Sequence, residues 1–293
     1  MRLVAAGSSG FLGGRLLAAA KTRGVDVVQL VRRQPDGPDQ VRWDPEHGEL
    51  DPSVLDGADA VVNLCGVPLN HRWTDSYRQL IRESRVLPTE LLAKTIARHA
   101  GPTLLNQSAV GFYGPRHDEV IDESALVGQT FAAGIAADWE AATAPAREHG
   151  VRVVTMRTGL VLGTEGGMLP PVKLVTQLFL GGRLSSGKQY WPWISATDWV
   201  DAVFFLIEHP EVDGPVNMVG PHPVPNKEFT EELGKVVSRP TPWIVPEFAL
   251  KLVIGDFAEE VVTGQRAVPA KLEDAGFQFT HPTLADALRA EIH

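Results

Sequence analysis

Two groups of residues in this sequence have types and spacings that can do chemistry. The first is Gly7-Ser8-Ser9-Gly10-Phe11-Leu12-Gly13, which follows the apolar run Leu3–Ala6 and opens the helical pattern Phe11–Arg23. A diphosphate needs this arrangement: Gly7 permits a tight turn, Gly10 lets backbone N–H groups approach the phosphates, and Gly13 lets the helix pack closely on the strand. The helix N-terminus adds the positive end of its dipole. The second group is Arg32-Arg33, roughly twenty residues beyond Gly13 at the end of the next apolar run, where dinucleotide sites select their cofactor. An acid there would bond a ribose 2′-OH, whereas a guanidinium pairs with a 2′-phosphate. The pair of arginines therefore predicts NADP(H) in preference to NAD(H).

These residues need a scaffold that brings strand ends and helix starts to one edge. Short apolar runs at Leu3–Ala6, Val25–Val31 and Ala60–Leu64 alternate with longer helical patterns. Further along, Leu80–His99 and Ala132–His149 have helical spacing, while Thr103–Gln107 and Val151–Met156 read as strands. This rhythm predicts an α/β protein with a Rossmann-type, doubly wound parallel sheet. The segments Gln34–Gln40 and Asp44–Pro52, rich in Pro, Asp and Gly, read as surface loops.

After about Gly163 the pattern changes: glycine and proline pairs punctuate apolar stretches before a helix resumes near Thr197–His209. The expectation is an NADP-binding domain of residues 1–165 plus about 197–220, and a smaller C-terminal substrate-binding lobe of 166–196 and 221–293. That lobe should wall a cleft for a small-molecule substrate, with Trp73, Gln189, Trp191 and Trp193 as lining residues, since aromatic faces stack on ligands and amides orient them. The alternative is that the tryptophans fill the lobe's core.

Composition excludes several classes. The chain has 293 residues, a formal net charge of -9, 44% hydrophobic and 22% charged residues, so it can bury a full core and suits no phosphate-backbone partner. A single cysteine, Cys65, forbids an intramolecular disulfide and a thiolate metal cluster. The nine histidines fall in no ligand spacing, so no metal site is expected. The opening run meets Gly7 and Gly10 too early for a signal peptide, and no stretch reaches the roughly 18 apolar residues of a membrane span. A cytoplasmic protein without nucleic-acid or membrane partners is expected.

The Gly-x-x-Gly-x-x-Gly loop, Asn63-Leu-Cys-Gly66 after a later strand, and Ser108 followed by Tyr113-Gly114 together resemble the extended short-chain dehydrogenase/reductase superfamily. His71-Arg-Trp73, Ser84-Arg85, Trp139-Glu140, Arg157-Thr-Gly159, Gly187-Lys-Gln189, Trp193-Ile194, Asn217-Met-Val and the run Gly264–Gly276 narrow it to the atypical, epimerase-like 39U subfamily, over nearly the whole chain. The resemblance implies a cofactor lying over Gly7–Gly13, along Arg32, beneath Leu64-Cys65-Gly66 and beside Arg85, with Asp44 near the adenine and Arg157 also at the cofactor. Arg85 stands where the superfamily tends to carry an asparagine; it either reaches a cofactor phosphate or is a surface cation. Cys65 reads as a small filler. A homodimer through paired helices would be usual for the superfamily.

The same resemblance exposes an absence. Superfamily members usually carry a tyrosine that moves a proton, a lysine four residues later, and a serine or threonine that polarises the substrate oxygen. Ser108 fits the last role. The three tyrosines, Tyr77, Tyr113 and Tyr190, are followed four places on by Ile81, His117 and Ile194, so no Tyr-x-x-x-Lys exists, and Phe131-Ala-Ala-Gly-Ile135 occupies its place. General acid catalysis is worth about 10²–10⁴-fold, so a replacement donor is needed for speed. Tyr113 is a candidate, as are His117 and Asp118 more weakly. Two functions remain open: an NADP(H)-dependent oxidoreductase or epimerase-like enzyme acting on a carbonyl or sugar-like substrate, and a catalytically eroded NADPH-sensing regulatory protein.

Overall fold

A computed structural model describes residues 1–99 and 101–292. Seven parallel strands form the central sheet: β1 (Arg2–Ala6), β2 (Asp26–Val31), β3 (Gln40–Arg42), β4 (Ala60–Asn63), β5 (Thr103–Ala109), then Val153–Thr158 and Gly214–Met218. Their spatial order runs from Gly214–Met218 through Val153–Thr158, β5, β4, β1 and β2 to β3. The chain thus starts in the middle, winds one way through β2 and β3, and reverses between β1 and β4. This is the doubly wound order, and ligands bind in the crevice where it reverses.

Alternate strand residues face opposite layers, as a two-residue period requires. Leu3, Val62, Leu105 and Val154 pack with Leu16 of helix α1 (Phe11–Thr22) and with Trp199 and Phe204 of the helix Ala196–Glu208. Val4, Val61, Leu104 and Val153 pack on the other side with Leu92 and Ile96 of helix α2 (Asp75–Arg98). Fully buried on both faces, such strands read as continuous apolar runs in sequence.

Three elements differ from expectation. Helix α2 starts at Asp75, five residues before the apolar pattern becomes visible, because the Thr74 side chain caps it by accepting the Tyr77 N–H. The region Ala132–His149 divides into α3 (Phe131–Ala141) and α4 (Ala144–Glu148), with a proline entering the first turn of the second. The short strand β3 follows directly on a loop-like segment, where polar residues hide an edge strand.

A separate core joins Leu162, Leu169, Trp191, Trp193, Phe229, Leu233, Val261, Leu284 and Leu288. Small two-stranded pairings lace the chain around it, including Trp193–Ser195 on Leu160–Leu162 and Arg266–Ala267 on Val120–Ile121. Among the described residues no helix is long and apolar enough to cross a membrane, and no group of three His, Cys, Asp or Glu side chains is placed to hold a metal ion.

Candidate active site at the sheet switch point

The loops leaving β1 and β4 meet where the strand order reverses. Gly7 has φ +75°, and a Cβ there would lie 2.6 Å from the Leu64 carbonyl carbon and 2.8 Å from the Cys65 nitrogen. A Cβ on Gly13 would lie 2.4 Å from the Ser8 Cα, so the helix can press against the turn only because this residue has no side chain. Gly10 is the N-cap of α1 and offers no side-chain cap; the first intrahelical bond from it is Gly14 N–H to Gly10 O at 2.8 Å. The N–H groups of Phe11, Leu12 and Gly13 precede that bond and form the dipole's positive end. Ser8 is buried, its hydroxyl donating to Gln29 Oε1 at 3.2 Å, while Ser9 is exposed. The Phe11 ring packs against Gly163 and Gly166, and Leu12 joins the sheet core.

Arg32 follows β2 directly and is exposed; β2 runs parallel to β1, as β1 does to β4, so Arg32 stands at the same sheet edge as the two loops. Arg33 is engaged locally, bonding the Gln34 carbonyl at 3.0 Å and pairing with Asp36 at 2.8 Å. Asp44 is likewise spent on its own turn. Its carboxylate takes the backbone N–H groups of Glu46 and His47 and the His47 ring at 2.8 Å, and the His47 hydrogen bond holds it below the usual aspartate range.

Cys65 is a filler by its chemistry as well as its size: burial pushes the thiol up to about 12, against a smaller opposing pull from Arg32. Beneath it, Asn63 donates to Thr89 Oγ1 and Asn106 Oδ1 at 2.9 and 2.7 Å, and the Trp139 indole N–H donates to the same Thr89 oxygen at 3.0 Å. Arg85 is buried, not on the surface. Its guanidinium donates to the Val67 and Ile81 carbonyls at 2.9 and 3.0 Å and lies over the Trp139 ring. A Cβ on Gly66 would come within 3.0 Å of its Cζ. Burial lowers this arginine to about 10, and no carboxylate pairs with it among the described residues. A buried cation backs the loop from behind.

Ser108 sits at the end of β5 opposite Arg157, its register partner. Its hydroxyl donates to Glu140 Oε1 at 2.7 Å, and only 1% of the residue is exposed. Glu140, on α3, accepts Arg157 Nε at 2.8 Å and Nη2 at 2.9 Å. Arg157 also donates to the Tyr113 hydroxyl at 3.1 Å and the Glu123 carbonyl at 3.2 Å. Sequence reasoning placed Arg157 at the cofactor; the structure spends its donors inside this buried network. Burial would lower the guanidinium, but the Glu140 hydrogen bonds and charge raise it overall. Glu140 was not a candidate in sequence, because only the fold brings it within reach of both Ser108 and Arg157.

Tyr113 is fully buried, with its hydroxyl donating to Asn217 Oδ1 at 2.6 Å. Burial outweighs Arg157 and pushes the phenol up to about 12, so it holds its proton where a donor must release it. His117 and Asp118 stand in an exposed turn.

The supposed lining residues are largely interior. Trp193 is fully buried, its indole N–H on the His222 carbonyl; Trp191 bonds the Val261 carbonyl at 3.1 Å. Gln189 donates to the Leu184 carbonyl, and Trp73 packs between Phe131 and Phe257 with its N–H on the Leu69 carbonyl. These groups support the wall from within. Ser195 caps the helix Ala196–Glu208, and the fold brings an imidazole to it: His281 Nδ1 lies 3.0 Å from Ser195 Oγ.

Residues 3–220 match the model of the NAD dependent epimerase/dehydratase family, and residues 245–291 match a domain of unknown function, DUF1731. The chain belongs to the NAD dependent epimerase/dehydratase family, as an atypical, epimerase-like short-chain dehydrogenase/reductase. It is 47% identical over 285 residues to the epimerase family protein Mb2239 of Mycobacterium bovis, covering 97% of this chain and 95% of that one. The crystal structure of human epimerase family protein SDR39U1 (isoform2) with NADPH superposes with a TM-score of 0.91 at 30% identity, covering 99% of each chain. A nucleoside-diphosphate sugar epimerase of Corynebacterium glutamicum is 36% identical with a TM-score of 0.83, over 100% of this chain and 58% of that one.

Proposed function

We propose that this protein binds NADP(H) at the switch point and acts as an oxidoreductase or epimerase-like enzyme on a small carbonyl or sugar-like substrate. The observation that carries the reading is the contact of Gly7 with Leu64 and Cys65 beside the open N-terminus of α1. Such a cradle accepts a diphosphate through backbone N–H groups, and any side chain at Gly7 or Gly13 would collide with the opposing backbone. Arg32, exposed at the end of β2, supplies the cation for a 2′-phosphate. Likeness to the human protein with NADPH supports this choice of cofactor. Leu64, Cys65 and Gly66 line the other side, and Arg85 holds their loop in place.

A bound nicotinamide supplies or accepts hydride. In the hydrogen-bond pattern of the structure Ser108 gives its only proton to Glu140, so its lone pairs can accept from a substrate hydroxyl. Rotating the hydroxyl frees that proton for a carbonyl oxygen, and Glu140 keeps both Arg157 bonds meanwhile. Ser108 thereby serves either direction of a carbonyl–alcohol interconversion.

A second reading, an NADPH-sensing binding protein, is favoured by the burial of Ser108 and by the loss of a tyrosine from α3. Calorimetry with NADPH and NADH, followed by absorbance assays on carbonyl compounds and nucleotide sugars, tests both. Oxidation of NADPH that weakens in Ser108→Ala supports the enzyme; tight NADPH binding with no turnover on any compound supports the sensor. Failure to bind either nucleotide ends both readings.

A further inference from the structure

We propose that Glu260, on the C-terminal helix Phe257–Thr263, is the proton carrier of the cleft, standing in for the tyrosine absent from α3. The inference rests on the nicotinamide-dependent enzyme reading above.

The geometry starts at Gly111. This residue lies three positions after Ser108, within about 11 Å by chain length alone, in the turn Val110–Tyr113 that contacts α3. A Cβ built on Gly111 would meet two groups: the Ala132 methyl at 3.7 Å and Glu260 Oε2 at 3.9 Å. Both are ordinary contact distances, so glycine at 111 and alanine at 132 leave room that the carboxylate borders. Ala132 belongs to the segment Phe131–Ile135 that replaces the superfamily's Tyr-x-x-x-Lys. The C-terminal module thus brings an acid beside the α3 segment that lacks the superfamily's phenol.

The helix that carries it is held on both sides. Phe257 packs against Trp73 in a tilted pair with ring centroids 6.0 Å apart, and the Val261 carbonyl takes the Trp191 indole N–H. Glu260 is half-buried, and two further acids near the site are already committed. Glu140 is paired with Arg157, and Glu123 accepts the Asn217 and Lys271 N–H groups.

Burial raises the Glu260 carboxyl above its ordinary range, the neighbouring Glu259 adds to this, and the Thr130 hydroxyl opposes it by hydrogen bonding. Nearby cations are directed elsewhere. Arg78 pairs with Asp256 and lies over the Phe131 ring, Lys251 pairs with Glu247, Arg72 flanks Gly255, and Arg266 lies over Tyr190. Glu260 is therefore biased toward its protonated form. In the reductive direction it passes that proton to the substrate oxygen as the carbonyl carbon accepts hydride from NADPH. The π pair of the carbonyl becomes the new O–H bond, the products are alcohol and NADP⁺, and water reprotonates the carboxylate.

The test uses the full chain. Carbon NMR of protein labelled at the glutamate carboxyls, with Glu260→Gln assigning the resonance, should show Glu260 titrating above the exposed glutamates and shifting its midpoint when NADPH saturates the protein. Calorimetry should give NADPH affinities within about threefold for both proteins. On carbonyl compounds that wild type reduces, Glu260→Gln should be about 10²–10⁴-fold slower, with partial recovery in Glu260→Asp. A titration at the ordinary glutamate position, or one indifferent to NADPH, overturns the proposal, as does unchanged turnover in Glu260→Gln. If wild type takes up no NADPH, calorimetry shows that the reading beneath has failed, and the proposal falls with it.

Discussion

Ser108 Oγ and Arg157 Nε converge on one oxygen, Glu140 Oε1, at 2.7 and 2.8 Å. The carboxylate is thereby fixed by a bidentate arginine and a serine at once, on a helix that carries no tyrosine. Removing one partner of a buried, bidentate pair leaves the other uncompensated, at a cost of about 3–5 kcal/mol. Glu140→Gln should lower the unfolding free energy by that order, whereas Ser108→Ala should cost only about 1 kcal/mol. Urea melts of the two variants check the ranking; equal losses would contradict it.

Gly7 is held at φ +75° with no space for a side chain. Gly7→Ala combines an unfavourable backbone region, worth about 1–2 kcal/mol, with a collision against Leu64. The variant should melt lower and lose NADPH binding together, as thermal melts and calorimetry would show. Gly14→Ala, where nothing lies within 4 Å of the new methyl, should do neither and serves as the control.

Of the two arginines that suggested a 2′-phosphate, only Arg32 is not tied down by its own loop. Arg32→Ala should weaken NADPH by about tenfold or more while leaving NADH within a few-fold, since a charge-assisted bond is worth about 1.5–3 kcal/mol. Arg33→Ala, already occupied by Asp36 and the Gln34 carbonyl, should change the ratio less. Equal effects on both nucleotides would assign Arg32 no phosphate.

Tyr113 gives a signed pH dependence. Its folded value is about 12 against 10.0 for the free phenol, chiefly through burial, so between those limits the folded chain binds more protons than the unfolded one. Stability from this group is intact below pH 10 and falls as pH rises toward 12, by about 3 kcal/mol in all. Tyr113→Phe should flatten that limb in the difference between variant and wild-type melts, at a cost near neutrality from the lost bonds to Asn217 and Arg157. A parallel alkaline limb in both proteins would refute the assignment.

How much was legible in the sequence follows from the kind of constraint each residue obeys. Gly7 and Gly13 are legible because a backbone that tolerates no Cβ admits one residue type, and the surrounding strand and helix patterns gave both context and topology. Arg85 and Arg157 were visible as arginines, but their carbonyl and carboxylate partners lie across the fold, so local reading could not tell a buried brace from a ligand to the cofactor. The tryptophans show the opposite limit: at Trp191 and Trp193 the same residue type serves a pocket wall or a core, and only the indole bonds to Val261 and His222 decide. The start of α2 at Asp75 was hidden because a capping threonine and polar first turn carry no apolar period.

The pairing of Arg266–Ala267 with Val120–Ile121 sets an order on biosynthesis. Val268 N–H completes it on the Ile121 carbonyl, and the Asn217 amide reaches the Val268 carbonyl. Ile121 and Asn217 must therefore wait for a segment translated after the last sheet strand, and the same segment brings Leu272 and Phe277 into the core beneath that sheet, so the central layer is sealed only when the end of the chain has left the ribosome.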